Sequence, residues 1–389
     1  RNYKRSDIKL SELTYTVIRE FDIYTDKQTS NEIVSVGAEP VNVGKRADAF
    51  VRTADGTPSE FTVSKNGMKV NFTDGNLQYM MPKQVYSLTV RKHIAPNTLY
   101  RKGKDKPQAL TAKYYVLKGY YRLAPEQWSV VAPTDYTNPN GYFGEYTCVQ
   151  DATAAWYVTC TDNPVFDMFF FGKPKYPTLV DKSNGKYFLP KKDTEYKGTD
   201  KDWTNYAKLA DSPDPLVTLS ESEWQYLFDV RSFPDDANTP AFALAFLDLN
   251  GNGTVERNVD QAGIVIFPDG MNKSTAMLLF TNPNGSTFGK RTLDTDQPSG
   301  NKGKILKMEA VTEKGCLFLP FVGWNAGLKN GKCKIDQIGR HFNYWTSTSN
   351  GALIETNVSM IHYNITIGAT FGSKGELGGN AVRLVRFVK

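Results

Sequence analysis

The residues best suited to hold an ion are Asp248, Asn250, Asn252 and Thr254, in the run Asp248-Leu-Asn250-Gly-Asn252-Gly253-Thr254-Val-Glu256. Oxygen donors at alternate positions, with glycine at the sixth, match the first half of an EF-hand-type calcium loop. There side-chain oxygens wrap a hard cation and the glycine makes the sharp turn. The second half departs from the pattern: the twelfth position is Val259 instead of a bidentate Glu, and Asp260 falls one residue late. The flanks, Ala241–Leu247 and Gln261–Phe267, read as strands where an EF-hand needs helices. A hairpin closed at Asn250-Gly251 explains the same residues. Calcium at these four residues and a plain hairpin are the two accounts left open, and no other cofactor is implied.

Other chemistries are thinly supplied. The 4 Cys, at 148, 160, 316 and 333, include no Cys-x-x-Cys, and with only 3 His a tetrahedral zinc site lacks ligands. In an oxidising compartment, pairing by proximity joins Cys148 to Cys160 and Cys316 to Cys333. In a reducing one all four are thiols, and the sequence leaves both open. No Gly-x-Ser-x-Gly, no phosphate-cradling loop ending in Gly-Lys-Ser/Thr and no His-Glu-x-x-His occurs. Hydrolysis needs a nucleophile held beside a base, and three scattered His suggest no such pair. Asp167 stands among apolar residues (Phe166, Met168, Phe169, Phe170), the setting of a satisfied core carboxylate or a cap.

The elements that must position these residues are mostly short strands. An aromatic share of 13%, with 31 Gly and 20 Pro, favours strands and turns over long helices. At 40% hydrophobic and 23% charged the composition is globular, and the net charge of +6 is spread along the chain without a nucleic-acid signature. No apolar run is long enough to span a bilayer. One helix is predicted over Ser220–Val230, with Ser220 as N-cap, Glu223 completing a capping box, and Trp224, Leu227 and Phe228 on one face. Asn66-Gly67 should turn a hairpin between Glu60–Ser64 and Met68–Phe72. Strands are also expected at Leu13–Tyr24 and Glu32–Val36, and a pair of strands within Glu355–Glu376. A Lys- and Arg-rich stretch from Arg91 to Lys113 reads as a solvated loop or extra hairpin.

The last quarter carries the most recognisable pattern. Phe318-Leu-Pro-Phe-Val-Gly323, then Tyr344-Trp-Thr-Ser-Thr-Ser349, then Val382-Arg-Leu-Val-Arg386 follow one another in order. Upstream stand Val70-Asn-Phe-Thr-Asp-Gly-Asn-Leu-Gln-Tyr79, Asp202-Trp203, Trp224-Gln-Tyr-Leu-Phe228 and Ile264-Val-Ile-Phe-Pro-Asp269. Taken in order, these motifs resemble C-type-lectin-like domains of the Fibrobacter major paralogous domain type, found on Bacteroidetes surfaces and fimbriae. They span the chain from about Phe61 onward, with long unmatched stretches between them. The basic stretch after Tyr79 departs from the family, and Phe166–Gly172 resembles its Asp-Leu-Phe-Gly-Trp-Gly segment without the tryptophan.

The resemblance implies an α+β fold, a C-type-lectin-like domain over 61–389 with short strands, few helices and long loops. Residues 1–60 are then a small β segment or the end of an upstream domain, either an ordinary accessory strand or an assembly strand that completes a neighbour's sheet. It implies export to the extracellular or outer-membrane surface; no apolar signal core follows Arg1-Asn-Tyr-Lys-Arg5, so a leader would have been removed. It places the ligand-facing side chains in the terminal region, at Asn343, Tyr344, Trp345, His362, Tyr363 and Asn364, with core packing as the favoured role for Trp345. The expected function is a non-enzymatic adhesin or fimbria-associated subunit binding a host protein or glycan. A structural assembly subunit among sister fimbrial proteins is the alternative. The broad fold also includes formylglycine-generating oxygenases, whose cysteines only Cys316 and Cys333 could imitate. Their surroundings do not resemble that enzyme's segments.

Overall fold

The computed structural model describes residues 16–23, 41–44, 49–81, 85–88, 110–116, 120–129, 142–150, 156–158, 165–172, 174–175, 177–179, 191, 194–209, 213–256, 260–282, 288–289, 305–329, 332–336, 342–349, 353–359, 364–369 and 379–389. They form an α+β fold of many short strands and few short helices.

A four-stranded sheet divides the core in two. Its order is Ile305–Leu306, Phe242–Leu247, Gln261–Ile266, Leu317–Pro320. The two middle strands run antiparallel from Phe242 opposite Ile266 to Leu247 opposite Gln261, so the expected strands pair, but their ladder ends at Leu247 and Gln261 and is not closed by a tight turn at Asn250-Gly251. Every residue of both strands is buried. Phe242, Leu244, Phe246, Ile264 and Ile266 point into the larger cluster, while Ala243, Ala245, Leu247 and Val265 point into the smaller. A strand covered on both faces has no polar face to alternate with, which is why the sequence reads as unbroken apolar runs. Gly263 permits the close approach of the next strand. A Cβ there would lie 2.5 Å from both the Leu319 carbonyl oxygen and the Phe318 ring.

The two ends of the motif series meet in a second sheet. Val385–Phe387 pairs with Lys69–Phe72, which pairs with Phe61–Thr62. The predicted turn at Asn66-Gly67 is present, with Gly67 at φ 76°, where a side chain would strain the backbone. Beside it, Arg383 is buried and bonded throughout. Its Nε donates to Asn76 Oδ1 (2.9 Å), its Nη1 to the Thr73 carbonyl (2.9 Å), and its Nη2 to the carbonyls of Gln127 (3.0 Å) and Phe318 (3.2 Å).

The predicted helix begins as expected. Ser220 Oγ accepts from the Glu223 amide, and the Glu223 carboxylate accepts from the Ser220 amide at 2.6 Å, closing the capping box. Trp224, Leu227 and Phe228 are buried, and the rings of Trp224 and Phe228 stack at 6.0 Å. The structure differs in the second half. After Glu221–Gln225 the helix widens into a π turn over Tyr226–Val230, closed by the Arg231 amide on the Tyr226 carbonyl at 2.8 Å.

The N-terminal region is woven into the rest. Thr16–Ile23 pairs with Leu110–Val116, which pairs with Val85–Leu88. The strands on either side of the basic stretch therefore pair with each other, and the N-terminal strand joins them in one accessory sheet; residues 89–109 lie outside the described residues. Val41–Gly44 runs parallel to Ala207–Leu209. Ala49, Phe50 and Val51 are buried in the larger core, so the packing runs on across the boundary expected near residue 60. Glu32–Val36 lies outside the described residues. Among those described, no helix is long and apolar enough to cross a membrane.

Candidate functional site

The terminal motif anchors the core instead of facing a ligand. Asn343, Tyr344 and Trp345 have no exposed surface, which corrects the expectation for Asn343 and Tyr344 and agrees with the packing role favoured for Trp345. The cause is the covering of this strand on both sides. Tyr344 points toward the first hairpin, where its hydroxyl accepts from Asn76 Nδ2 at 3.0 Å and donates to the Pro320 carbonyl at 3.3 Å. Burial pushes its pKa up to about 12. Trp345 donates from Nε1 to the Phe169 carbonyl at 2.5 Å, with its ring edge-on to Phe171 at 5.3 Å. Asn343 receives the Ala381 amide on its carbonyl.

The same strand, Tyr344–Ser349, pairs with Leu353–Ser359, which pairs with Asn364–Ala369 in register from Glu355 opposite Ala369 to Ser359 opposite Asn364. The expected pair of strands within 355–376 is therefore formed. Asn364 opens its second strand; its side chain, with His362 and Tyr363, lies outside the described residues.

The calcium-like loop is closed by its own hydrogen bonds. Asp248 is buried; its Oδ1 accepts from the Gly251 amide at 2.7 Å and its Oδ2 from the Gly253 amide at 2.9 Å. Asn250 Oδ1 accepts from the Asn252 amide, and Asn252 Oδ1 accepts from the Thr254 amide and hydroxyl. Their amide groups both donate to Glu256. Asp260, which falls one residue late for an EF-hand, faces inward and accepts from the amides of Leu249 and Glu256. Burial raises its pKa, opposed by those bonds and reinforced by Asp248 and Glu256. The side-chain oxygens of Asp248, Asn250 and Asn252 each accept from the loop's own backbone amides, and among the described residues no group of three His, Cys, Asp or Glu is arranged for a metal.

The expected Cys316–Cys333 disulfide is absent. Both are buried thiols, Cys316 in the smaller cluster and Cys333 in the larger, so their nearness in sequence does not bring them into one packing layer. Burial drives the Cys316 thiol far above its ordinary pKa, the reverse of what a thiolate ligand or nucleophile needs. The Cys148–Cys160 pairing lies outside the described residues. Asp202 serves as a cap: its carboxylate accepts from the amides of Trp203 and Gly198 and from the Thr218 hydroxyl. Asp167 is likewise buried, close enough to Tyr344 to raise its pKa.

Sequence reasoning missed a cleft of about 260 Å³ where the π turn meets the Phe267–Met271 turn, lined among others by Thr62, Tyr226, Arg231, Ser232 and Asp269. Arg231 donates from Nε to Asp269 Oδ1 at 3.0 Å and from Nη2 to the Phe267 carbonyl, while Asp269 also accepts from the Thr62 amide and hydroxyl. Burial lowers the Arg231 pKa and Asp269 opposes that shift. Asp269 closes one of the recognised motifs, but Arg231 carries no local signal; only the fold joins them.

By class the chain is a strand-rich α+β protein whose buried polar residues tie distant segments together. No protein-family model, curated protein or solved structure matches it.

Proposed function

We propose that this chain is a non-enzymatic binding protein of the bacterial surface, an adhesin or fimbria-associated accessory or tip subunit built on a C-type-lectin-like domain. Its ligand is a host protein or glycan. The order of the motifs supports the family. The observation that carries a binding role is the way the terminal hairpin is mounted. Tyr344 and Trp345 fix one strand in the core, and that strand continues by pairing into Leu353–Ser359 and Asn364–Ala369. A strand fixed in the core that carries a paired hairpin beyond it is an arrangement by which recognition residues can be positioned precisely enough to bind.

The test is a glycan-array and pull-down screen with the intact chain and with 355–376 replaced by a Gly/Ser turn, each with and without calcium. Saturable binding to a defined glycan or host protein, lost on replacement, is the expected result. Because Tyr344 and Trp345 precede the replaced segment, the near-UV circular dichroism of the core aromatics should persist. Recovery of sister subunits alone, unchanged by the replacement, would make the chain an assembly component. Thr16–Ile23 pairs with Leu110–Val116 along one side and stands at the edge of its sheet, the side on which a neighbouring strand would add in that second reading.

A further inference from the structure

The cleft beside the π turn is independent of the terminal hairpin and is built for polar recognition. A π turn is a frequent device at functional sites because it breaks the regular ladder and redirects the following residue. Here it delivers Arg231, whose guanidinium is fixed on Asp269 and the Phe267 carbonyl. Its Nη1, though buried, has no hydrogen-bond partner among the described residues. Asp269 Oδ2 accepts one hydrogen bond, from the Thr62 hydroxyl at 2.7 Å, with Lys69 farther off at 4.0 Å. A carboxylate oxygen can accept more than that. Tyr226 and Ser232 add two hydroxyls, and Pro234, Pro268 and Met271 add apolar wall.

Charge and size narrow the ligand. Arg231 pairs with Asp269 and Lys69 with Glu60, so the groups around the cleft sum to no net charge. A carboxylate ligand would meet Asp269, and a cation would meet Arg231. A volume of 260 Å³ falls just below the roughly 300–1,000 Å³ of sites for drug-sized molecules, which leaves room for a single ring. With Arg231 buried behind Asp269, a primary amide would engage two of the remaining four polar side chains at the wall, whereas a ring bearing several hydroxyls can engage more of them. Apolar walls suit the C–H faces of such a ring.

We propose that this cleft binds one pyranose-type sugar ring. The test is saturation-transfer difference NMR and titration of the intact chain with methyl glucoside, methyl galactoside and methyl mannoside, and with propionamide and acetate as competing chemistries. Saturable binding of at least one glycoside is expected, shifting the Met271 methyl resonance. Tyr226→Phe and Ser232→Ala each keep the carbon frame and should weaken binding about fivefold, the size of one neutral hydrogen bond. Binding should survive replacement of 355–376, so this site can fail or stand apart from the terminal hairpin. No glycoside binding, an unmoved Met271 methyl, indifference to both substitutions, loss with the 355–376 replacement, or propionamide or acetate binding in its place would each overturn the proposal.

Discussion

Arg383→Met removes a guanidinium that ties four distant segments, and its cost can be worked from the contacts. Asn76 Oδ1 and the carbonyls of Thr73, Gln127 and Phe318 all accept from Arg383 inside the core. Leaving buried acceptors unsatisfied costs about 1–3 kcal/mol each, so the four together give about 4–12 kcal/mol before any relaxation. Against that stands the relief of a buried charge. Burial lowers the Arg383 pKa, and its interactions with Tyr344 and then Asp74 only partly oppose that. Removing the charge returns several kcal/mol of desolvation, and methionine fills part of the volume. The net expectation is a loss of about 3–4 kcal/mol, a large share of the roughly 5–15 kcal/mol that holds a domain together. Urea unfolding followed by tryptophan fluorescence measures it through the midpoint, with Arg383→Lys as companion. Lysine keeps the charge but cannot span four acceptors with a planar fork, so it should recover less than half. A methionine variant within about 1 kcal/mol of the parent would refute the claim that this network closes the fold.

Gly263→Ala should destabilise by about 3 kcal/mol, because the new Cβ meets the Leu319 backbone oxygen at 2.5 Å and a strand cannot step aside as a side chain can; an unchanged melting temperature would count against the inter-strand geometry. Burial raises both Asp74 and Asp202 to about 6. Between the unfolded value near 4 and that figure the folded state holds more protons than the unfolded, so their contribution to stability falls as pH rises from 4 to 6, by about 2 kcal/mol for Asp202. Asp236, held down to about 2 by Lys273, Thr239 and Asn238, acts oppositely but only below pH 4. Melting temperatures across pH 4–7, with carboxyl NMR titration of Asp202, check the sign. Alkylation of the native protein should spare Cys316 and Cys333, both modified only after unfolding; a mass-mapped bond between them would contradict the two-layer core.

Much of the fold was legible because local rules and tertiary packing agree along several stretches. The capping box at Ser220 and Glu223 and the Asn66-Gly67 turn each depend on neighbours within a few residues. The π turn was not legible, since the sequence periodicity that predicts Trp224, Leu227 and Phe228 on one face does not distinguish a ladder that widens by one residue. Nor was the joining of Thr16–Ile23 to the basic insertion, a pairing across about ninety residues that no local signal encodes. Cys316 and Cys333 show the same limit: sixteen residues separate them from end to end, yet a sheet stands between their packing layers.

The site was legible least, and the reason lies in what a motif records. Tyr344, Trp345, Asp202 and Arg383 all belong to recognisable motifs, and all are buried. Each holds an aromatic ring, a cap or a carbonyl where no other side chain would serve as well. A polar group inside the core must find its partner or cost more than the fold can spare, so its identity is constrained by structure alone. The loop Asp248–Glu256 follows the same logic. Its oxygens alternate as an ion site requires, yet the backbone amides of Gly251 and Gly253 claim Asp248 directly. Recognition, by contrast, needs groups whose partners are left for the ligand to supply. In the cleft proposed above as a binding site, Arg231 comes nearest to that position, bonded along one edge to Asp269 and with a buried Nη1 that has no partner among the described residues. Such a residue leaves no periodicity and no spacing to read. It becomes visible only when the fold sets Tyr226–Val230 against Phe267–Met271 and the donors that remain can be counted.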